Sequence, residues 1–216
     1  MKKLIVVLAL LVLTVTACGG GSNPAVQPPA SNPDGKVLYY TDFSRNDKDW
    51  DEGVHDQDEI KLRDGELTIS VQTLNWDMWT NPNDLKIENY VVVDVDAKRV
   101  SGPEDGTYGV ICDYQDRDNY YGLIVGDDGY SEIYRWTDGI YETLASKTGV
   151  AMNKAGVNHL TARCESSQIS LLVNNSPVLQ ADHDEVGTGN VGLIAGAFEP
   201  SNVLFAFDNF MVSSLP

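Results

Sequence analysis

Positive charge is in short supply in this chain. Against 32 aspartates and glutamates stand 15 lysines and arginines, a net of −17 over 216 residues. DNA, RNA and anionic lipid each require a basic footprint, so no nucleic-acid partner is expected. Cysteine is scarcer still, with three in all, and no further ligands stand at metal-binding spacing around them. The three histidines are scattered: His55 in an acidic loop, His159 at the start of a strand, His183 in the polar stretch ADHDEVG. No Ser-His-Asp arrangement and no Gly-x-Ser-x-Gly elbow is present, so the chain offers no catalytic residues of that kind. No segment shows a sustained helical stripe. The apolar run Leu4–Leu13 falls well short of the about 20 residues that a membrane span requires.

That run does have a meaning. Lys2 and Lys3 precede it as a positive n-region, so residues 1–17 are expected to be a secretory signal. Val15-Thr16-Ala17-Cys18 resembles the bacterial lipobox, which implies cleavage before Cys18 and a lipid on its thiol. The other reading is an ordinary secretory signal with an incidental cysteine. Residues 18–35, with GGGSNPAVQPPASNPDG after the cysteine, cannot bury enough apolar area to offset their ordering entropy and read as a flexible tether. Residues 36–216 then form one domain, monomeric and held outside the cytoplasmic membrane at the cell envelope by lipid alone. Without Lys2 and Lys3 the balance is 13 basic against 32 acidic residues, a net of −19.

Asp-Gly pairs at 64–65, 105–106, 128–129 and 138–139, with Asn174-Asn175, are hairpin signals, because these residues tolerate the positive φ of tight turns. Between them lie short runs rich in β-branched and aromatic residues: ELTISV, YVVVDVDAKRV, TYGVICDY, YYGLIV, SEIYRW, HLTARC, QISLLVNN, VGLIAGAF and FAFDNFMV. Several alternate with period two; Tyr90, Val92, Asp94 and Asp96 oppose Val91, Val93, Val95 and Ala97. The expected class is an all-β antiparallel two-sheet sandwich. In YQDRDNYYGLIV, Tyr114 closes one strand, Gln115–Asn119 turns, and Tyr121, Leu123 and Val125 return on a core face. Asp116 and Asp118 suit a solvent-facing turn. Cys112 and Cys164 form an even pair in an exported chain; a disulfide is favoured over two buried thiols.

YTDFS, Trp50, DGELTI, the long stretch from YGVICDY to GYSEI, VNHLTARCESSQISLLVNNSPV, GNVGLIAG and FDNFMV, taken in order, resemble the concanavalin A-like jelly roll. They are similar more narrowly to the laminin-G-like and 3-keto-disaccharide-hydrolase-like domains of bacterial surface proteins, over nearly all of Val37–Val212. Asp113 stands where such domains often carry arginine, and Ser176 where they often carry glycine. The resemblance implies paired cysteines at 112 and 164. It also implies a structural calcium between an N-terminal and a C-terminal acid, here Asp42 and Asp208; the alternative is that both cap turns. An EF-hand reading of Asp47, Asp49, Asp51 and Asp58 fails on Gly53, which stands one place late. Glu-x-Asp-x-x-Glu of the glucanases is absent, and Asp94 and Asp96 are a carboxylate pair without flanking glutamates.

Exposed aromatics stack on sugar rings while nearby polar groups bind hydroxyls. Two clusters have that composition. Trp76 and Trp79 stand three apart in what reads as a loop, beside Asn75, Asp77 and Asn81, and Tyr134, Trp136 and Tyr141 form a platform with Glu132 and Arg135 beside it. Glu132 implies a half-open face. The expected function is a non-catalytic, lectin-like domain on a lipoprotein, whose partner is a carbohydrate or another envelope polymer. A 3-keto-disaccharide hydrolase, implied by the resemblance, and a structural or protein-binding envelope module are the alternatives.

Overall fold

Three hairpins close at short polar residues in the left-handed region. Asp64-Gly65 (φ 54° and 83°), Asp138-Gly139 (50° and 73°) and Asn174-Asn175 (50° and 63°) each place two successive residues there, the backbone of a type I′ hairpin turn. Asp105-Gly106 does not; neither residue has positive φ, and the segment crosses between sheets instead of closing a hairpin.

The computed structural model describes residues 35–45, 49–83, 85–183, 187, 189–198 and 202–215. The expected signal, Cys18, the tether up to Asp34, and Asp47 lie outside them. Among the described residues the regular elements are all strands: β1 (Val37–Thr41), β2 (Gly53–His55), β3 (Asp58–Arg63), β4 (Glu66–Val71), β5 (Trp76–Thr80), β6 (Val91–Ser101), β7 (Thr107–Asp116), β8 (Asn119–Gly126), β9 (Ser131–Thr137), β10 (Ile140–Lys147), β11 (Asn158–Cys164), β12 (Gln168–Val173), β13 (Ser176–Asp182), β14 (Asn190–Ala197) and β15 (Val203–Ser214). All pairings are antiparallel. A nine-stranded sheet runs β13-β12-β11-β6-β15-β4-β3-β2 with β1 against β15, and a six-stranded sheet runs β10-β9-β8-β7-β14-β5.

The period-two pattern builds the core between these sheets. Val91, Val93, Val95 and Ala97 of β6 face inward with Leu160, Phe205 and Phe207, against Tyr108, Val110, Leu123, Val125, Ile133 and Leu193 of the smaller sheet. Each of the valine, leucine, isoleucine and phenylalanine side chains, removed from water, contributes about 1.5–3 kcal/mol of transfer free energy. Cys112 on β7 and Cys164 on β11 are joined as a disulfide across the two layers, with Cα atoms 6.1 Å apart. The stretch from Tyr114 is a hairpin: Asp116 pairs with Asn119, and the Asp116 carboxylate accepts N–H bonds from Asp118 (2.8 Å) and Asn119 Nδ2 (3.0 Å).

Candidate functional site

A second cluster of buried apolar residues stands apart from the core between the sheets. Ile111, Tyr120, Ile124, Tyr134 and Ile194 form a separate cluster, with Trp79, Tyr114 and Trp136 packed around it. All eight come from the six-stranded sheet, on the face turned away from the other layer. A face open to water ordinarily alternates to polar residues, so a second apolar layer there needs a reason. Register assembles it: Trp136 pairs with Tyr120 and with Tyr141, Tyr134 with Gly122, Trp79 with Ile194 and Asp77 with Gly196. Gly122 makes room, since a Cβ there would stand 2.2 Å from the Tyr134 ring; the ring therefore lies flat on the backbone. Tyr141 stacks over it at 4.9 Å and 28°, and Trp79 stacks on Tyr120 at 6.0 Å and 30°. Tyr114 reaches the same face through a β-bulge at Asp113 (φ 49°), where the displaced carboxylate accepts the N–H groups of Gly187 (2.6 Å) and Gly189 (2.8 Å).

Two clefts open on this surface. One, of about 360 Å³, is walled by Trp76, Asp77, Trp79, Arg117, Tyr120 and Trp136. The other, of about 320 Å³, is walled by Asp51, Trp79, Asn81, Asn83, Tyr114 and Asn190. Trp79 is common to both. Asn81 Nδ2 donates to the Val191 carbonyl and Asn190 Nδ2 to that of Pro82, which fixes the strand end carrying Trp79.

Two acids sit among the rings. Glu132 is 4% exposed and accepts bonds from the hydroxyls of Tyr130 (2.7 Å) and Thr143 (2.5 Å). The acid therefore does not make the face half-open, as expected from sequence; it is buried because hydroxyls satisfy it. Asp77 is different. Burial, and secondarily the charge of Glu132, pushes its carboxyl up to about 6. A carboxyl whose folded value lies above its unfolded one contributes stability fully present below about 4 and lost as pH rises through about 6. Asp77→Asn is accordingly expected to stabilise the protein by about 1–2 kcal/mol near pH 8, allowing for its partial exposure, and by less near pH 4. Guanidinium unfolding at the two pH values measures this; an equal difference at both would refute the assignment. A carboxylate kept where it costs stability is a candidate functional position.

The residues expected from sequence distribute as follows. Trp79, Glu132, Tyr134, Trp136 and Tyr141 share this face, although Tyr134 is only 1% exposed and underlies Tyr141 instead of offering its own ring. Trp76 and Trp79 lie on strand β5, not in a loop, and an odd spacing puts them on opposite sides of the pleat; Trp76 stacks on His55 at 5.5 Å while still edging the larger cleft. Arg135 also faces the other way, bonded to Glu142 at 2.5 Å, and is not beside the platform. Asp118 lines the larger cleft. The EF-hand series breaks up: Asp51 accepts from Asn83, and Asp58 is fully buried, capping the N–H groups of Gln72 and Thr73. Asp42 accepts from Ser44 N and Oγ, and Asp208 from Asn209 N. The turn-capping reading accounts for these contacts, while the two carboxylates share an acidic patch with Asp96 and Glu66.

Asp94 and Asp96 do not form a solvated pair. On the outer face of the nine-stranded sheet both grip His159, Asp96 at 2.8 Å to Nδ1 and Asp94 at 3.3 Å to Nε2, with Thr161 Oγ1 donating to Asp94 at 2.6 Å. Asp94 first, then Asp96, raises the imidazole to about 9. This raised value means a contribution present in full below about pH 6.5 and lost as pH climbs through about 9. His159→Ala is expected to cost about 2 kcal/mol near pH 6, after allowance for the solvent-facing ring edge, and to flatten the alkaline loss of stability. A pH series of melting curves on both proteins checks the slope, and parallel curves would refute the role.

No protein-family model matches the chain, and no protein of curated function does either. Solved structures do. The carbohydrate-binding module CBM66 of Bacillus subtilis is similar with a TM-score of 0.63 at 13% identity, over 78% of this chain and 98% of that one. A Bacillus subtilis protein of unknown function with a galectin-like fold gives 0.64 at 13% identity, over 82% and 95%. A Bacillus licheniformis β-glucanase gives 0.60 at 10% identity, over 85% and 100%. At these identities the likeness is one of fold, and it establishes the concanavalin A-like jelly roll, a fold that hosts both glycan binding and glycoside hydrolysis.

Proposed function

We propose that the outer face of the six-stranded sheet binds a glycan, as a lectin-like module that does not cleave it. The observation that carries this is the second apolar layer: a water-facing sheet surface floored with Tyr120, Tyr134 and Tyr141 and walled by Trp79 and Trp136. Aromatic faces stack on the apolar side of sugar rings, and the asparagines and acids at the rims suit hydroxyl groups. Because Trp79 walls both clefts, an oligosaccharide laid across it would occupy two subsites. The carbohydrate-binding module among the similar structures supports the reading.

Binding without cleavage is favoured because a glycosidase needs two carboxyls about 5–9 Å apart and free to act, whereas Glu132 is engaged by two hydroxyls. Incubating the purified protein with a panel of neutral and charged oligosaccharides, with 3-keto-disaccharides included, tests this. Retention of a glycan with no product on chromatography is expected. Release of monosaccharide would instead establish the hydrolase. Presentation at the envelope through a lipid on Cys18 belongs to the same proposal and is supported by the signal-like residues 1–17. Mass spectrometry of the N-terminal peptide from the exporting cell, showing an unmodified Cys18, would overturn it.

A further inference from the structure

The larger cleft has an electrostatic character that a neutral sugar does not need. Asp77 lies at its floor against Gly196, where a Cβ would stand 2.0 Å from Oδ1. No described residue donates a hydrogen bond to this carboxylate. The Tyr134 hydroxyl, shielded from solvent, lies in its field beside the Tyr120 hydroxyl. Among the lining residues the one cation is Arg117, largely exposed and turned to Asp118 at 3.5 Å. Trp79, Tyr120 and Trp136 complete the walls.

A carboxylate without a counter-charge, set among ring faces, suits an ammonium group. The ring quadrupoles attract a cation, and its N–H groups would satisfy Asp77 by charge-assisted bonds. The same field, in a chain of net charge −17, repels uronates and sulfated sugars.

We propose that this cleft selects sugars carrying a free amino group, that is, polymers of unacetylated hexosamine, with Asp77 as the specificity-determining residue. The proposal rests on the glycan-binding reading of the same face. It is tested by calorimetric titration of the full protein near neutral pH with glucosamine hexamer, N-acetylglucosamine hexamer, oligogalacturonate and trilysine.

The glucosamine hexamer is expected to bind at least about tenfold more tightly than its acetylated counterpart, the equivalent of one ammonium contact. Asp77→Asn, shown by its melting curve to be folded, is expected to bring that ratio close to one. Equal or tighter binding of the acetylated hexamer would overturn the amine selectivity while leaving the glycan-binding reading standing. So would tighter binding of oligogalacturonate, or a ratio unmoved by Asp77→Asn. Trilysine binding as tightly as the glucosamine hexamer would overturn the sugar class, and no binding of any oligosaccharide would remove both readings.

Discussion

Asp127→Ala is expected to lower the unfolding free energy by about 3–5 kcal/mol, the range for removing one partner of a buried ion pair. Asp127 is 1% exposed. Its Oδ2 accepts from Arg99 Nε and its Oδ1 from the Tyr108 hydroxyl, both at 2.9 Å. The Tyr108 hydroxyl in turn accepts from Asn158 Nδ2 at 2.9 Å. Arg99 is on β6 and Asn158 on β11, in one sheet; Tyr108 is on β7 and Asp127 follows β8, in the other. The chain of bonds therefore ties the layers at one end of the sandwich. Alanine leaves a wholly buried phenol without its acceptor and a guanidinium only 16% exposed with the Gly102 carbonyl as its remaining partner, and the bonds lost are not replaced by water. Asp127→Asn keeps an acceptor for Tyr108 but loses the charge and sets an amide donor against Arg99 Nε–H, so it is expected to recover only part of the alanine loss. Guanidinium unfolding of the three proteins measures both values. A loss under about 1 kcal/mol for the alanine variant would show that solvent reaches Arg99 and that the pair does not hold the layers together.

The disulfide is the second large term. Cys112 and Cys164 are separated by 52 residues, and closing a loop of that length removes denatured-state entropy equivalent to about 4 kcal/mol at 25 °C. The bridge also joins β7 to β11 through the core, so its loss acts on the contact between the sheets. The double variant Cys112→Ala/Cys164→Ala is expected to unfold at markedly lower denaturant with a steeper dependence on it, because the unlinked chain exposes more surface. An unchanged midpoint would contradict the cross-layer role. Since the Asp127 network and the bridge share no residue, their costs are expected to add.

The strands legible in the sequence are the ones that the core demands. β4, β6, β7, β8, β9, β11, β12, β14 and β15 carry the alternating apolar residues that bury between the sheets. The strands not foreseen lie at or beside borders: β2 and β13 end the larger sheet, β5 and β10 end the smaller one, β3 stands next to β2, and β1 hangs on β15. Border strands need to satisfy only one neighbour and bury less. All eight residues of β10 are exposed or half-exposed, with no continuous apolar face.

The site shows the same division. Tyr134 and Trp136 were visible because SEIYRW alternates. Trp79 was visible as a residue and misplaced as a loop, since a short border strand leaves no pattern. Asp77 reads from sequence only as a polar neighbour of the two tryptophans, although Trp-Asp-Met-Trp taken as a strand puts Asp77 and Trp79 on one side. That β5 and β9 share a face follows from sheet order, not from nearness in the chain. Tyr114 arrived through a bulge that no local signal announced, and Glu132 was misread because its hydroxyl partners come from Tyr130 and, across a turn, from Thr143.

The central claim is that ligand lies on the aromatic face of the six-stranded sheet. Its most direct test is a calorimetric comparison of the wild type with Trp79→Ala and Trp136→Ala, using the tightest oligosaccharide from the panel. Both side chains are half-buried walls of the larger cleft, so each truncation removes a central contact without opening the core between the sheets. The affinity is expected to fall on the order of 30-fold for each variant, with melting temperatures close to that of the wild type. Unchanged affinity in both variants would place the ligand elsewhere and contradict the assignment of this face.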